Sequence, residues 1–219
     1  MMPYWQSIQG TQTADNRDFY GTVEVCDIRL FVLVDGATTS PNSGDMAKTL
    51  VQHLLEDIAA SGVPPSSERL IDILARIHTK LRCRYSADST SYIIAYQNNR
   101  HSVTTLHAGD CRLGKITTEG SIQWLTKPHT LANSIRDIAE NDLKNDQKRH
   151  ILTRSFKGRR FQTPESNTFD LSNEDSQLLL ASDGFWAGLT QQVQLDMLNS
   201  LPIDPKLFID DTSCLQWFL

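Results

Sequence analysis

A run of apolar residues that ends in an acid and a glycine constrains this chain most. Residues 30–34 are Leu-Phe-Val-Leu-Val, and Asp35 and Gly36 follow at once. So short a run, rich in branched and aromatic side chains, predicts a strand that is buried on both faces. Gly36 then permits a turn that a side chain would obstruct. The strand would hold Asp35 rigidly at its end, although Asp-Gly pairs also occur in ordinary surface turns.

Acids recur at the ends of other predicted strands along the whole chain. They are Asp18, Asp110, Asp183 with Gly184 after it, and Asp210 with Asp211. Carboxylates gathered in one cleft repel one another, and some would protonate unless cations lay between them. Oxygen ligands of this kind suit Mg²⁺ or Mn²⁺. The alternative is that each aspartate ends its own strand and faces water separately.

Length and charge limit the classes of function that the chain can have. It has 219 residues, 39% of them apolar and 21% charged, which favours a single soluble domain over residues 1–219. The net charge of -5 argues against a general nucleic-acid-binding protein. No apolar stretch approaches the roughly 20 residues of a membrane span, and residues 1–10 do not resemble a signal peptide. We therefore expect neither nucleic acid nor membrane as a partner.

The cysteines and histidines do not form a recognisable zinc motif. Cys26, Cys83, Cys111 and Cys214 are scattered and include no Cys-x-x-Cys pair. This pattern predicts reduced thiols and a cytoplasmic protein. A zinc hydrolase is not favoured, because the sequence contains no His-Glu-x-x-His.

Hydrophobic periodicity predicts strands at both ends of the chain and a pair of helices between them. Strands at 19–25 and 29–34 would form an antiparallel pair. One helix would contain Met46 to Ile58 and a second would run from Ser67 to Tyr85, so that both cover one face of a sheet. The remaining predicted elements are strands at 4–9, 91–96, 100–107, 112–117, 121–125, 177–181 and 213–219, helical pieces within 128–150, and a helix capped by Thr190.

A series of short motifs occurs in an order that resembles one known family. In chain order the motifs are Asn16-Arg17-Asp18, Val34-Asp35-Gly36, Asp88-Ser89-Thr90, Gly109-Asp110-Cys111-Arg112, Leu125-Thr126-Lys127-Pro128-His129, His150-Ile151-Leu152-Thr153-Arg154, Ser182-Asp183-Gly184 and Asp210-Asp211-Thr212-Ser213. Together they resemble the PP2C-type, metal-dependent serine/threonine protein phosphatases, in particular the compact bacterial kind. The resemblance extends from about Thr11 to Leu219.

The resemblance implies an α+β fold, a four-layer α-β-β-α sandwich of two mainly antiparallel sheets. It implies hydrolysis of phosphoserine and phosphothreonine by a water that bridges two Mn²⁺ or Mg²⁺ ions. The implied partner is a phosphorylated protein in a signalling system opposed by a serine/threonine kinase, and the implied state is a monomer in the cytoplasm.

The resemblance also assigns roles to individual residues. Asp35 would bridge both metals, and the carbonyl of Gly36 would help to hold the second. Asp183 and Asp210 would complete the coordination of the first metal, and Asp110 with Asp183 would hold a third metal. Asp35 and Asp183 would thereby hold the attacking water, and Asp18 would orient waters beside them.

Two positions differ from the family pattern, and both belong to the part of the pattern that holds the substrate and releases its leaving group. Thr13 stands where the family has an arginine that grips phosphate, so Arg17 is predicted as a substitute. Ala37 leaves the site without the histidine that protonates the leaving group. A PP2C-like binding or regulatory module with little catalysis is therefore the alternative, and a hydrolase of nucleotides or small phosphates on the same fold is a third reading.

Two further groups of residues are expected to have no part in the chemistry. His129 lies in the Leu-Thr-x-x-His motif, where we expect a structural side chain. The basic cluster of Arg154, Lys157, Arg159 and Arg160 is expected to be a solvated loop.

Overall fold

Two antiparallel β-sheets packed face to face form the centre of the molecule. The computed structural model describes residues 3–99, 101–117, 119–171 and 177–218. The strands are β1 (Tyr4–Ile8), β2 (Asp18–Val25), β3 (Ile28–Gly36), β4 (Ser89–Asn99), β5 (Ser102–Ala108), β6 (Arg112–Ile116), β7 (Ile122–Trp124), β8 (Phe156–Lys157), β9 (Glu165–Asp170), β10 (Gln177–Ala181) and β11 (Thr212–Phe218). The helices are α1 (Ser43–Ser61), α2 (Ser67–Leu81), α3 (Leu131–Ile135), α4 (Glu140–Asn145), α5 (Asp183–Trp186) and α6 (Gln191–Leu198), with short 3₁₀ helices at Gln147–His150 and Pro205–Leu207.

The layers follow the order helix, sheet, sheet, helix. The first sheet has the strand order β1-β11-β10-β6-β7, and the second has β2-β3-β4-β5-β9 with β8 beside β4. Helices α1 and α2 cover the outer face of the second sheet, and α3 to α6 pack on the outer face of the first. The α-β-β-α sandwich predicted from the sequence is confirmed.

The apolar run before Asp35 is strand β3, which is covered on both faces as predicted. Leu30, Val32 and Val34 pack against the layer of α1 and α2. Phe31 and Leu33 point into the core between the sheets, where the Phe31 ring stacks on Trp217 at 4.4 Å between centroids. Burial on both faces explains why the run has no polar alternation.

A tight hairpin sets the register that brings two of the acids together. Strands β2 and β3 are joined by Cys26 and Asp27, whose φ angles of 51° and 61° match the twist of a two-residue hairpin turn. The register pairs Asp18 directly with Asp35. The start of β2 and the end of β3 therefore lie side by side at one end of the sandwich.

Gly36 still belongs to a strand, so the turn that the sequence predicts at this residue begins only after it. It is the last residue of β3 and pairs with Thr90 of β4. A Cβ atom on Gly36 would lie 2.8 Å from the backbone of Ser43, at the start of α1. Glycine is needed here because helix α1 begins in close contact with the end of the strand.

The structure also corrects the prediction around the second helix and the last third of the chain. Helix α2 ends at Leu81 and not at Tyr85, and strands β8 and β9 were not predicted. Arg100 and Leu219, which belong to predicted strands, and Thr118, which lies between two of them, fall outside the described residues. Within the described ranges, no helix combines the length and apolar character that a bilayer crossing needs.

Candidate active site

Four of the predicted metal ligands line one cavity at an end of the sandwich. The cavity has a volume of about 170 Å³, and its walls are formed by Asp35, Ala37, Thr38, Thr39, Ser91, Asp110, His150, Leu152, Asp183 and Asp210. A larger cavity of about 580 Å³ adjoins it. The acids are therefore gathered in one place, which excludes the alternative that each of them faces water separately.

Strand ends deliver the acids to this cavity from both sheets. Asp35 comes from the end of β3 and Asp110 from the bend that follows β5. Asp183 is the first residue of α5, directly after β10 and Ser182. Asp210 lies just before β11, which runs antiparallel to β10. Because the two sheets face each other, these ends meet although the residues are far apart in sequence.

Burial and mutual repulsion raise the pKa of the two paired acids. Desolvation is the main cause at Asp18, where it raises the pKa to about 7, and the charges of Asp211 and Asp183 add to it. At Asp35, burial and then the charge of Asp18 raise the pKa well above its ordinary value. The fold thus holds the pair of carboxylates where their charge is costly.

The other two acids with a shifted pKa show the same causes. Burial and the charge of Asp183 raise the pKa of Asp110 to about 7, although a hydrogen bond from Ser91 opposes the shift. Burial and Asp183 also raise the pKa of Asp210. Shifts of this kind cluster at functional sites, because a structural role alone gives no reason to bury like charges together.

The carboxylate oxygens at this cavity are suited to bind divalent cations. Neither carboxylate oxygen of Asp18 has a hydrogen-bond partner of good geometry, and the hydroxyls of Ser213 and Ser182 offset its raised pKa only in part. Hard cations such as Mg²⁺ and Mn²⁺ take carboxylate oxygens and retain waters. Such ions would supply the charge that these buried acids lack.

Ser91 fixes the orientation of one of these acids. Its hydroxyl donates to Asp110 Oδ1 at 2.6 Å, and its oxygen accepts from the Asp110 backbone N–H at 3.3 Å. The indole N–H of Trp186 holds the Asp110 carbonyl at 2.8 Å. Asp110 therefore points into the cavity from a fixed backbone.

We expect Ser91→Ala to weaken Mn²⁺ binding by about 10- to 100-fold, the usual cost of losing an outer partner of a metal ligand. The reason is that Asp110 would lose the hydrogen bond that orients its carboxylate. Calorimetric titration with Mn²⁺ measures the change. Ser166→Ala removes an exposed hydroxyl on β9 and is the matched control; equal affinity in both variants would contradict the positioning role of Ser91.

Arg17 does not line either cavity. Its Nε binds Asp15 at 2.9 Å, and its Nη1 donates to the carbonyls of Thr38 at 2.8 Å and Ser40 at 3.3 Å. The side chain thus holds the loop after Gly36 in place. The predicted phosphate contact of Arg17 stays a prediction, and its hydrogen bonds favour a structural role.

Thr13, in the position of the family's arginine, is also committed to the fold. Its hydroxyl donates to Asp211 Oδ1 at 2.6 Å, and Asp211 Oδ2 accepts from the Arg17 backbone N–H at 2.9 Å. Asp211 therefore ties the chain before β2 to the chain before β11. No basic side chain reaches the cavities from this part of the described chain.

Two polar cavity residues that were not predicted from the sequence come from the segment 147–152. Arg149 lines the larger cavity, where its guanidinium binds Asp183 Oδ2 at 3.1 Å. His150 lines both cavities. The motif that begins at His150 marks this segment in the sequence, but its distance from the acids along the chain hides the contact.

His129 belongs to a separate cluster beside the site. Ligand atoms of His107, His129 and Glu165 lie within 4.8 Å of one another, which makes them a possible metal-binding group. However, the two rings are stacked at 4.4 Å between centroids, so their in-plane lone pairs do not converge. Arg154 already provides a cation, 3.3 Å from His129 Nε2 and 3.8 Å from Glu165 Oε2.

The backbone contacts of His129 agree with the expected structural role. Its N–H donates to the Gly109 carbonyl at 2.8 Å, and its Nδ1 accepts from the Gly109 N–H at 3.3 Å. Gly109 has a φ of +114°, which favours glycine. His129 thereby holds the bend that leads to Asp110.

In structure, the chain has the fold of the PP2C-type serine/threonine phosphatases. A bacterial serine phosphatase superposes with a TM-score of 0.84 at 19% identity, over 100% of this chain and 97% of that chain. Serine/threonine phosphatase Stp1 from Staphylococcus aureus gives 0.84 at 19% identity over 99% and 94%. Phosphatase PstP/Ppp from Mycobacterium tuberculosis gives 0.71 at 16% identity over 98% and 97%.

In sequence, the chain is similar to a plant protein of the same kind. It is 23% identical over 173 residues to a probable protein phosphatase 2C 60 from Arabidopsis thaliana. The match covers 76% of this chain and 46% of that protein, so the chain spans about half the length of this curated relative. No protein-family model matches the chain. The resemblance to PP2C-type phosphatases is confirmed by these similarities.

Proposed function

We propose that the chain is a metal-dependent phosphatase that hydrolyses phosphoserine and phosphothreonine in proteins. The observation that carries this proposal is that Asp35, Asp110, Asp183 and Asp210 line one cavity. Burial and mutual repulsion raise the pKa of Asp35, Asp110 and Asp210 there. The fold shared with serine/threonine phosphatases supports the same conclusion.

The proposed cation ligands follow the geometry of the strand ends. Asp35 would contact two ions, with the Gly36 carbonyl assisting at the second. Asp183 and Asp210 would hold the first ion, and Asp110 with Asp183 a third. Bound Mn²⁺ or Mg²⁺ would lower the pKa of the attacking water and polarise the phosphoryl group.

The protein's own residues would orient the substrate and its water. Asp18 lies beside Asp35 with both carboxylate oxygens unpaired, so it can accept hydrogen bonds from waters of the site. Arg149 lines the larger cavity and reaches Asp183, which lines both cavities, so its guanidinium can contact a phosphoryl oxygen held in the acidic cavity. The larger cavity, about 580 Å³ in volume, would take the polypeptide on either side of the phosphorylated residue.

The cellular setting is also part of the proposal. The four cysteines are free, which suits a reducing compartment such as the cytoplasm. A phosphoprotein phosphatase there would oppose a serine/threonine kinase, and we propose that it acts as a monomer.

We expect the metal-free protein to be inactive and Mn²⁺ to restore activity. The protein, treated with EDTA and dialysed, should hydrolyse neither 4-nitrophenyl phosphate nor a phosphothreonine peptide, because its buried acids would have no ion to bind. Addition of Mn²⁺, and separately of Mg²⁺, should restore release of phosphate. Turnover that persists in EDTA would contradict the metal-dependent mechanism.

A binding or regulatory module is the second candidate, and specific contacts favour it. Thr13 replaces a phosphate-gripping arginine and is bound to Asp211, while Arg17 is bound to the loop. Calorimetry separates the two functions. Mn²⁺ binding together with turnover supports the enzyme, whereas Mn²⁺ binding without turnover of any phosphoester supports the module.

A further inference from the structure

His150 stands where the small acidic cavity meets the larger cavity. Four residues line both cavities: Thr38, His150, Asp183 and Asp210. They mark the passage between the two spaces. His150 is the histidine at this passage.

The two cavities differ in the part of a phosphoprotein that they can hold. The acidic cavity, of about 170 Å³, suits a phosphoryl group and the cations that would bind it. The cavity of about 580 Å³ suits the side chain and backbone of a polypeptide. The scissile bond joins these two parts of the substrate. Its leaving oxygen would therefore lie at the passage, beside His150.

Of the four residues at the passage, His150 is suited to donate a proton. Asp183 and Asp210 are proposed cation ligands, whose carboxylates give lone pairs to cations and hold no proton to donate. The hydroxyl of Thr38 is too weak an acid to transfer a proton at neutral pH. Imidazole changes its charge near neutral pH and is a common general acid.

The backbone around His150 is held on both sides. The Asp146 carboxylate accepts from the Lys148 N–H at 2.8 Å and starts the 3₁₀ helix that His150 ends. The Ile151 carbonyl accepts from the Leu131 N–H at 2.8 Å. The side chain itself is exposed, and within the described chain it has no hydrogen bond or ion pair. His150 is thus fixed in position while its imidazole is available to a substrate.

We propose that His150 is a catalytic residue that protonates the leaving oxygen. This role rests on the proposed phosphatase function. Water attacks phosphorus, the bond from phosphorus to the seryl or threonyl oxygen breaks, and its electron pair passes to that oxygen. The imidazolium N–H gives its proton to the same oxygen, which leaves as an alcohol. The proton lost by the attacking water restores the imidazolium, so that water and phosphoester give alcohol and phosphate.

Two substrates that differ in their leaving groups test this role. 4-Nitrophenolate is a good leaving group and departs without a proton, whereas a seryl oxygen needs one. In His150→Asn, kcat/KM for a phosphoserine peptide should fall by about 10²-fold or more, the typical contribution of general acid catalysis. The rate with 4-nitrophenyl phosphate should change much less. Imidazole added to His150→Ala should restore part of the peptide activity.

Controls distinguish this role from a structural one and from failure of the proposed function. His53→Asn, on the outer layer of helices in α1, should leave both rates unchanged. Mn²⁺ affinity and thermal stability of His150→Asn should match those of the wild type. Equal losses on both substrates, or no loss, would overturn the role of His150 while leaving the phosphatase proposal intact. A wild type that hydrolyses neither substrate would overturn both.

Discussion

Asp35→Asn is expected to abolish turnover with both 4-nitrophenyl phosphate and a phosphothreonine peptide. Asp35 lies next to the last residue of β3, beside Asp18, and is the acid that we propose to contact two cations. Loss of an outer partner alone costs about 10- to 100-fold in affinity or activity, so loss of a bridging ligand should cost on the order of 10³-fold or more. Steady-state rates in Mn²⁺ and calorimetric titration with Mn²⁺ measure both effects.

When neither protein has metal bound, Asp35→Asn should be more stable than the wild type. Burial and the charges of Asp18, Asp183, Asp110 and Asp210 oppose ionisation of Asp35, and asparagine carries no charge. The melting temperature in EDTA should therefore rise, a result that a misfolded variant would not give. Asp72→Asn, on the exposed face of α2, is the control for a change of charge alone. Wild-type turnover in Asp35→Asn would contradict the two-cation site.

The sequence predicts the acids of the site because each follows a pattern that is local. Asp35 ends an apolar run and Asp183 follows another, so burial of the strand fixes where the acid must lie. Their meeting depends on the register of β2 with β3 and of β10 with β11. That register is set by hairpin geometry and by the core between the sheets, and only the order of the motifs indicated it.

Residues whose role depends on distant contacts were not predictable in the same way. The motif that begins at His150 marks its segment, but it does not identify His150 as a cavity residue, because that position follows from the packing of the segment 147–152 near the strand ends. Arg17 shows the opposite case. It lies next to an acid of the site in sequence, but its guanidinium turns to the carbonyls of the loop after Gly36.

Strand β9 was missed for a simple physical reason. It is an edge strand, paired with β5 alone in its sheet order, and its residues Glu165–Asp170 alternate between partly buried and exposed. Phe169 is the apolar side chain in it. Hydrophobic periodicity cannot find a strand that buries so little, although backbone pairing holds it in the sheet.

Without metal, the unfolding free energy of the wild type should fall relative to that of Asp18→Asn as the pH rises from about 4 to 7. Burial and neighbouring charges raise the pKa of Asp18 to about 7, so over this range the folded protein holds a proton that the unfolded chain has lost. A raised pKa gives stability at low pH, which is lost as the pH passes through the folded value. The difference should grow by about 1.4 kcal/mol per pH unit.

Comparison of the two proteins cancels the groups that titrate alike in both, and it leaves the titration of Asp18 together with the effect of its charge on Asp35. Burial lowers the pKa of His107 to about 4, so its contribution to stability rises with pH over part of the same range, but it is common to both proteins. Urea unfolding in EDTA at several pH values measures the difference. Mn²⁺ should stabilise the wild type most above pH 7, where Asp18 and Asp110 have lost their protons. A difference that stays constant with pH would mean that Asp18 is solvated like a surface carboxylate, and the argument that its unpaired oxygens need a cation nearby would then be wrong.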